Sequence, residues 1–219
     1  MVCFTRPLAG RFFQESRIET ESVVSQEKTE AVVLRWVAFS ETSKIVTFLT
    51  PGRGRLACIA KGVRRKNSPL AAVLETFNRV EAVYYWKDGR DVHTLGEAAL
   101  LDAYRGVKAD VERSAYAAFP LELAYKVAHE NEPSEALFAV LTEGLATLDT
   151  GQGDARLQAC RLAWRLLEVA GFAPALEYCS VCGVDMAVPS GFSRTGGAVC
   201  AACGTGRRLE AAVWAVERG

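Results

Sequence analysis

The chain has 219 residues, of which 50% are hydrophobic and 24% are charged, and its formal net charge is zero. This composition is typical of a globular protein with two or three modules. No apolar run reaches the ~18 residues that a membrane-spanning helix requires, so the sequence predicts no membrane partner.

Residues 1–27 are predicted to form a loosely ordered N-terminal extension. They show no sustained hydrophobic period, and their apolar stretch is too short for a signal peptide. Acidic residues such as Glu15 and Glu19 argue against a transit peptide. We assign no function to this segment.

Residues 28–105 are predicted to hold five short β-strands. The strands are expected at 29–37, 43–50, 55–61, 77–86 and 92–100. Turn residues separate them, notably the run from Pro51 to Gly54 and the pair Asp88-Gly89. An OB-fold barrel is the best match to this number and size of strands.

Aromatic residues of these strands are candidates for stacking on nucleic-acid bases. They are Trp36, Phe39, Tyr84, Tyr85 and Trp86. Strand alternation assigns Trp36, Tyr84 and Trp86 to the core face. That face is the one that carries Val32 and Val80. Phe39 and Tyr85 are therefore the residues expected to be exposed.

A stretch of seven basic residues without an acidic one is the candidate nucleic-acid surface of the barrel. It comprises Lys44, Arg53, Arg55, Lys61, Arg64, Arg65 and Lys66. Small barrels bind single strands by laying the backbone in a positive groove, and the planar guanidinium of arginine grips two phosphate oxygens. The alternative for this stretch is a solvated, exposed loop.

A helical bundle is predicted over residues 106–175, where the hydrophobic period changes to that of helices. One face of the first helix is expected to carry Val111, Ala115, Ala118, Leu123 and Val127, and Pro120 is expected to kink or split this helix. Ser134 and Asp154 are the expected N-caps of the next two helices.

The third predicted helix carries a basic stripe that includes Arg161 and Arg165. These two arginines are four residues apart and share a helix face. They either extend a nucleic-acid track or simply solvate the helix, and the sequence favours neither.

Four cysteines near the C-terminus have the spacing of a zinc site. Cys179-x2-Cys182 and Cys200-x2-Cys203 are separated by 17 residues, and four thiolates fill the tetrahedral coordination of one structural Zn²⁺. We predict a zinc ribbon over 176–206 and the start of a C-terminal helix over 207–219. The alternative is two unrelated thiol pairs or a redox motif.

The cysteines indicate the cellular compartment, and the lack of catalytic patterns in the sequence argues against an enzyme. Seven cysteines, an odd number with metal-type pairs, suit a reducing cytoplasm better than a disulfide scaffold. His93 and His129 stand alone, and no glycine-rich phosphate loop is present in the sequence. We therefore predict an α+β multidomain protein that is not an enzyme.

Several segments together resemble the bacterial RecO DNA repair and recombination family, over residues 28 to about 205. They are the opening strand at 28–35, the run from Glu41 to Thr47, Gly54-Arg55-Leu56, Ala60-Lys61-Gly62-Val63-Arg64-Arg65, Leu121-Glu122-Leu123 and the spacing of the four cysteines. The lysine–glycine–arginine segment combined with the cysteine spacing is the most specific part.

The resemblance implies a recombination mediator with an N-terminal OB-fold. Such proteins bind single- and double-stranded DNA, anneal complementary strands, and act with RecR and single-strand-binding protein (SSB) to load RecA on coated gaps. It implies a cytoplasmic, nucleoid-associated location. The basic residues to which the resemblance extends are Lys44, Arg55, Lys61, Arg64 and Arg65.

The chain departs from the family pattern at both ends. Residues 1–27 precede the usual start of the barrel, and only residues 204–219 follow the last cysteine, where relatives return to the bundle with further helices. We therefore expect a shortened C-terminal region. Two other functions stay open, namely an adaptor for protein partners and an RNA-binding factor with an OB-fold and ribbon.

Overall fold

The computed structural model describes residues 24–174, 176–187, 189–193 and 197–204. Five strands form a closed barrel in the order β1-β2-β3-β5-β4: β1 (Val24–Ala38), β2 (Lys44–Thr50), β3 (Gly54–Ala60), β4 (Arg79–Lys87) and β5 (Val92–Asp102). All neighbouring pairs are antiparallel except β3 and β5. Most of the predicted extension, and the predicted helix at 207–219, lie outside the described residues.

Five helices and a small two-stranded sheet complete the described part. They are α1 (Leu70–Val73), α2 (Arg105–Ala109), α3 (Val111–Val127), α4 (Glu135–Asp149), α5 (Ala155–Val169), β6 (Gly191–Phe192) and β7 (Ala198–Val199). α1 connects β3 to β4. The longer helices α3, α4 and α5 pack on one another and share a core with one face of the barrel.

Strand β1 is buried on both faces over four consecutive residues, Ala31 to Leu34. Ala31 and Val33 point into the barrel, whereas Val32 and Leu34 belong to the core shared with the helices. Such double burial explains the unbroken apolar run, which differs from the alternation of a half-exposed strand. β1 therefore joins two hydrophobic cores.

The first strand corrects two expectations. It begins at Val24, which pairs with Lys87 of β4, so residues 24–27 belong to the barrel and not to the extension. In addition, a register shift between Val33 and Arg35 reverses the alternation. Trp36 therefore does not share a face with Val32, and its side chain is 38% exposed at the end of the barrel.

Helix α3 also differs from its predicted pattern. Val111 is 85% exposed, Ala115 and Ala118 are exposed, and Pro120 lies inside one unbroken helix. The buried face instead contains Arg113, whose guanidinium donates hydrogen bonds to backbone oxygens at the C-terminal end of α4. Because a charged residue occupies the packed face, the hydrophobic pattern of α3 does not mark the side that is buried.

Helices α4 and α5 follow the prediction more closely. The side chains that α4 buries are all apolar: Leu137, Val140, Leu141, Leu145 and Leu148. The carboxylate of Asp154 caps α5 by accepting a hydrogen bond from Leu157 N at 3.1 Å. Ser134 is the N-cap residue of α4, although its hydroxyl makes no capping hydrogen bond.

The turn between β2 and β3 contacts the segment between α3 and α4 through backbone hydrogen bonds. Arg55 N donates to His129 O at 2.9 Å, and Ser134 N donates to Pro51 O at 2.7 Å. Gly54 lies at the closest approach, with a φ of +56°. A Cβ at this position would lie 2.4 Å from Glu132 O.

We predict that Gly54→Ala destabilises the fold by roughly 2–4 kcal/mol. The reason is that a left-handed backbone conformation and a clash with two backbone carbonyls act together. Urea unfolding measures this change. Gly52→Ala in the same turn is the matched control, because a Cβ there meets nothing within 4 Å, and we expect a change within about 0.5 kcal/mol. Equal stabilities for the two variants would contradict the tight contact.

Candidate nucleic-acid interface and four-cysteine site

The loop between β3 and α1 lies against the loop between β1 and β2 at one end of the barrel. Arg64 N donates to Thr42 O at 3.0 Å, and the Arg64 guanidinium donates to Ser40 O at 2.8 Å. Gly62 and Asn67 adopt left-handed conformations, which turn the chain sharply twice. These contacts hold a basic segment in a defined position beside the barrel.

Four of the predicted site residues come together on this segment. Lys61, Arg64, Arg65 and Lys66 are all exposed. None of them forms an ion pair with another described residue. Phe39, which was expected to be exposed, is 61% exposed next to Ser40, the residue that holds Arg64. We call this group, residues 61–66 with Phe39, the basic loop cluster.

Lys44 lies at the same end of the barrel but is only 7% exposed. Its ammonium lies 3.5 Å from the centre of the Trp36 ring and 3.4 Å from the Glu75 carboxylate. A cation–π contact and an ion pair thus stabilise the buried charge. The structure places Lys44 among internal contacts, where its charge is already matched.

Arg53 lies at the opposite end of the barrel from the basic loop cluster. The two are at opposite ends of β3, whose seven residues span about 23 Å. Its guanidinium donates to the Glu27 carboxylate at 2.6 and 3.3 Å and lies 4.0 Å from the centre of the Trp86 ring. The Tyr84 hydroxyl donates to the same carboxylate at 2.6 Å. Glu27 thus organises this end of the barrel.

The sequence analysis does not identify Glu27 as a site residue, because residue 27 falls within the predicted extension. The sequence does contain a pattern that could have extended the first strand upstream. Ser25, Glu27 and Thr29 occupy alternate positions, and all three belong to β1. Burial by itself raises the pKa of Glu27. The hydrogen bonds from Arg53 and Tyr84 lower the pKa by more than burial raises it, so it lies below its ordinary value of 4.5.

His93 belongs to the same end of the barrel. Its ring stacks on Trp86 with centroids 4.0 Å apart and is 2% exposed. Lys87 N donates to its Nδ1 at 3.4 Å, and burial lowers its pKa. These contacts make His93 a packed core residue.

Arg55 connects the barrel to the helices. Its guanidinium donates to Tyr125 O at 2.8 Å and to the Glu130 carboxylate at 2.9 Å. The Tyr125 ring also contacts Arg35, whose guanidinium carbon lies 4.2 Å from the ring centre. The structure therefore surrounds Arg55 with intramolecular partners.

The remaining predicted residues lie elsewhere. Arg161 and Arg165 are exposed on α5, where Arg165 pairs with Glu143 of α4 at 3.2 Å. Tyr85 is 42% exposed on β4, with its ring beside Gly96 of β5. The predicted site residues thus divide among several surfaces.

We predict that Glu27→Gln lowers the free energy of unfolding by about 1–3 kcal/mol at pH 7, because it weakens charge-assisted hydrogen bonds at the barrel end. Since the folded-state pKa lies below the unfolded value, this stabilisation is present above about pH 4.5 and is lost as the pH falls through the folded-state pKa. Urea unfolding from pH 7 to pH 3 measures it.

The matched control is Glu81→Gln. Glu81 pairs with Lys28 at 2.7 Å on the outer face of the barrel, where both side chains are well exposed. We expect a change of about 0–1 kcal/mol for this surface pair. A Glu27→Gln effect that is no larger, or that does not shrink in acid, would contradict the proposed network.

The four cysteines meet at one point. Cys179, Cys182, Cys200 and Cys203 have sulfur atoms that all lie within 4.8 Å of one another. The Cys182 and Cys200 sulfurs are 3.8 Å apart, which matches the edge of a tetrahedron with Zn–S bonds of ~2.3 Å. Four thiols at this spacing fit a structural zinc ion and leave no open coordination position.

Two tight turns present the sulfurs. Gly183 N donates to Cys179 O at 2.8 Å, and Cys203 N donates to Cys200 O at 3.2 Å. Backbone N–H groups, first that of Cys200, lower the pKa of the Cys179 thiol to about 6. This favours the thiolate form that binds metal.

We predict that the purified chain holds about one zinc per molecule and that Cys182→Ser releases it, because three thiolates bind the ion far more weakly than four. The zinc content by elemental analysis and the protease sensitivity of the C-terminal segment measure this. Cys160→Ser, which removes an exposed cysteine on α5, is the control and should retain the metal. Chelator-free, reduced protein without metal would contradict the site.

Within the described residues, no helix combines the length and the apolarity that crossing a membrane demands. A small barrel with an exposed basic loop, joined to helices and a metal-type cysteine cluster, is typical of nucleic-acid-binding proteins.

Comparisons with known proteins identify the family. Residues 24–104 match the model described as Recombination protein O N terminal, and residues 108–215 match that described as Recombination protein O C terminal. The chain belongs to the RecO family of DNA repair proteins.

Named relatives agree. The DNA repair protein RecO of Shouchella clausii (strain KSM-K16) is 35% identical over 178 residues, which is 81% of this chain and 68% of that protein. The DNA repair protein RecO of Nocardioides sp. (strain ATCC BAA-499 / JS614) is 36% identical over 183 residues, or 80% of this chain and 73% of that protein. The resemblance seen in the sequence is confirmed.

Proposed function

We propose that this chain is a non-enzymatic recombination mediator that binds single- and double-stranded DNA and anneals complementary strands during repair. The observation that carries the proposal is the basic loop cluster, in which four exposed cations have no ion-pair partner among the described residues and lie beside an exposed phenylalanine. Family membership supports the role in repair and recombination. The barrel's strand order supports the expected OB-fold.

The proposed binding mode follows from the side chains present. Arg64 and Arg65 grip phosphates through their forked guanidinium groups, Lys61 and Lys66 add point charges, and Phe39 stacks on a base. Contacts to phosphates carry no sequence information. A strand held by its backbone keeps most base edges free, which is the condition for pairing with a complementary strand.

The proposed contact set is narrower than the basic stretch of the sequence. Lys44, Arg53 and Arg55 already have intramolecular partners, so we propose that they support the fold and do not grip phosphates. We propose Arg161 and Arg165 on α5 as a secondary contact for longer DNA. The Arg165–Glu143 pair does not exclude this, because both of its side chains are more than half exposed and such surface pairs are weak. In this view, residues 24–105 bind DNA, residues 106–175 form the helical unit, and residues 176–206 form the zinc-stabilised ribbon.

The partners that we propose are RecR, SSB and, indirectly, RecA, in a cytoplasmic and nucleoid-associated setting. Membership in the RecO family supports these partners. A mediator needs DNA and protein contacts at the same time. The helical unit and the cysteine segment, which lie outside the barrel, are the surfaces that we propose for the protein partners.

We predict that the double substitution Arg64→Ala with Arg65→Ala weakens binding of single strands of every sequence. Each lost phosphate contact lowers the slope of log affinity against log salt by about 0.7 on single strands, so the slope should fall by about 1.4. Fluorescence anisotropy with labelled oligonucleotides over a range of salt concentrations measures it.

The charge-matched control is Lys28→Ala with Arg90→Ala. Both residues are exposed and lie toward the other end of the barrel. This control should keep the slope within about 0.3 of the original chain. If both double variants change the slope equally, or if neither changes it, the basic loop cluster is not the DNA-binding surface.

A further inference from the structure

A cavity of about 480 Å³ opens beside α1, at the end of the barrel that carries the basic loop cluster. Its lining combines apolar side chains with two cations: Ala72, Glu75, Thr76, Phe77, Asn78, Leu100, Ala103, Arg105 and Lys108. The basic loop runs directly into α1, since Ala71 N donates to Ser68 O at 3.2 Å. A strand that leaves the loop along α1 therefore reaches this cavity next.

Two aromatic residues at the cavity have unusual backbone conformations. Phe77, which lines it, has a φ of +75°, and Tyr104, which directly precedes Arg105, has a φ of +42°. Bulky residues rarely adopt the left-handed region, and such strain persists only where the surrounding structure enforces it. Both side chains are packed in the core, so the walls of the cavity are held rigidly.

A buried amide braces the same wall. Asn78 is 1% exposed, and its Nδ2 donates to Ala72 O and Val73 O at 2.9 Å each. The Lys108 ammonium donates to the Asn78 side-chain oxygen. This chain of bonds links α1 to α2 across the cavity, so the cavity is preformed and needs no ligand to create it.

The charges around the cavity favour an anionic occupant with an apolar part. Arg105 and Lys108 are exposed at the rim. Three acids lie near Lys108, and each is already engaged: Glu75 pairs with the Lys44 ammonium at 3.4 Å, Asp102 accepts a hydrogen bond from Tyr104 N, and Asp149 accepts one from Val107 N. Leu100, which is 43% exposed, offers an apolar wall. A nucleotide has this combination, since its base is flat and weakly hydrated and its phosphate is charged.

We propose that this cavity receives one unstacked base of a DNA strand held by the basic loop cluster, with the adjoining phosphate on Arg105. This inference rests on the proposed DNA-binding function and adds a defined base site to it. The base enters between Leu100 and Ala72, and no hydrogen-bonding pattern in the lining requires a particular base. The site therefore fixes the path of the strand without selecting its sequence.

The experiment compares a deoxythymidine oligonucleotide with an abasic strand of equal length, using the full chain and two variants. Ala72→Phe fills the cavity from an exposed position on α1, and Leu100→Ala removes its apolar wall. A stacked base contributes on the order of 1–3 kcal/mol, so we expect Ala72→Phe to weaken binding of the base-bearing strand about fivefold or more. Binding of the abasic strand and the salt slope should not change.

Leu100→Ala should weaken binding of the base-bearing strand less, in the same direction, and this result decides the matter if Ala72→Phe does not fold. Arg105→Gln should lower the salt slope for both strands by about 0.7. Equal losses for the base-bearing and abasic strands, or no loss in either cavity variant, would overturn the proposal. If the original chain binds neither strand, the proposed function itself fails, so the two failures are distinguishable.

Discussion

The double burial of strand β1 is the constraint on which the rest of the structure depends. The residues from Ala31 to Leu34 send alternate side chains into the barrel and into the core shared with the helices. A strand buried on both faces cannot shift its register by one residue without exchanging the two cores. The position of the helices on the barrel follows from this strand, and the bulge after Val33 lets it bend into the closed sheet.

Polar contacts complete the attachment of the helices where the apolar core ends. Arg55 reaches across to a backbone oxygen of α3, and Gly54 lets the two backbones approach within hydrogen-bonding distance. A side chain with a permanent charge is suited to this role because one guanidinium satisfies several acceptors at once. The cost is that such an arginine is no longer available to a ligand.

The same reasoning separates the cations of the barrel that have intramolecular partners from those of the basic loop cluster. Lys44 and Arg53 lie at opposite ends of the barrel, and each combines a carboxylate with the face of a tryptophan. The cations of the basic loop cluster have no such partners among the described residues, so their field is directed toward solvent. Cations without an intramolecular ion pair are the ones that attract a polyanionic ligand most strongly.

Individual residues show what the sequence by itself determined. The strands, the caps and the cysteine pairs depend on local geometry, so the hairpin turn at Pro51–Gly54, the Asp154 cap and the doubled Cys-x2-Cys spacing could be predicted from neighbouring residues. The family could be recognised for the same reason. Phe39 is exposed as expected, although it lies just beyond the end of β1 and after the register shift.

Only the tertiary structure decided which charges are free and which surfaces meet. Seven basic residues that are close in sequence lie at two ends of a barrel and at its contact with the helices, because antiparallel strands carry consecutive residues to opposite ends. Partners such as Glu27, Glu75 and Glu130 come from distant positions in the chain. Local sequence patterns do not show such long-range pairs. For that reason the basic stretch could be found from the sequence, but its paired residues could not be told apart from its unpaired ones.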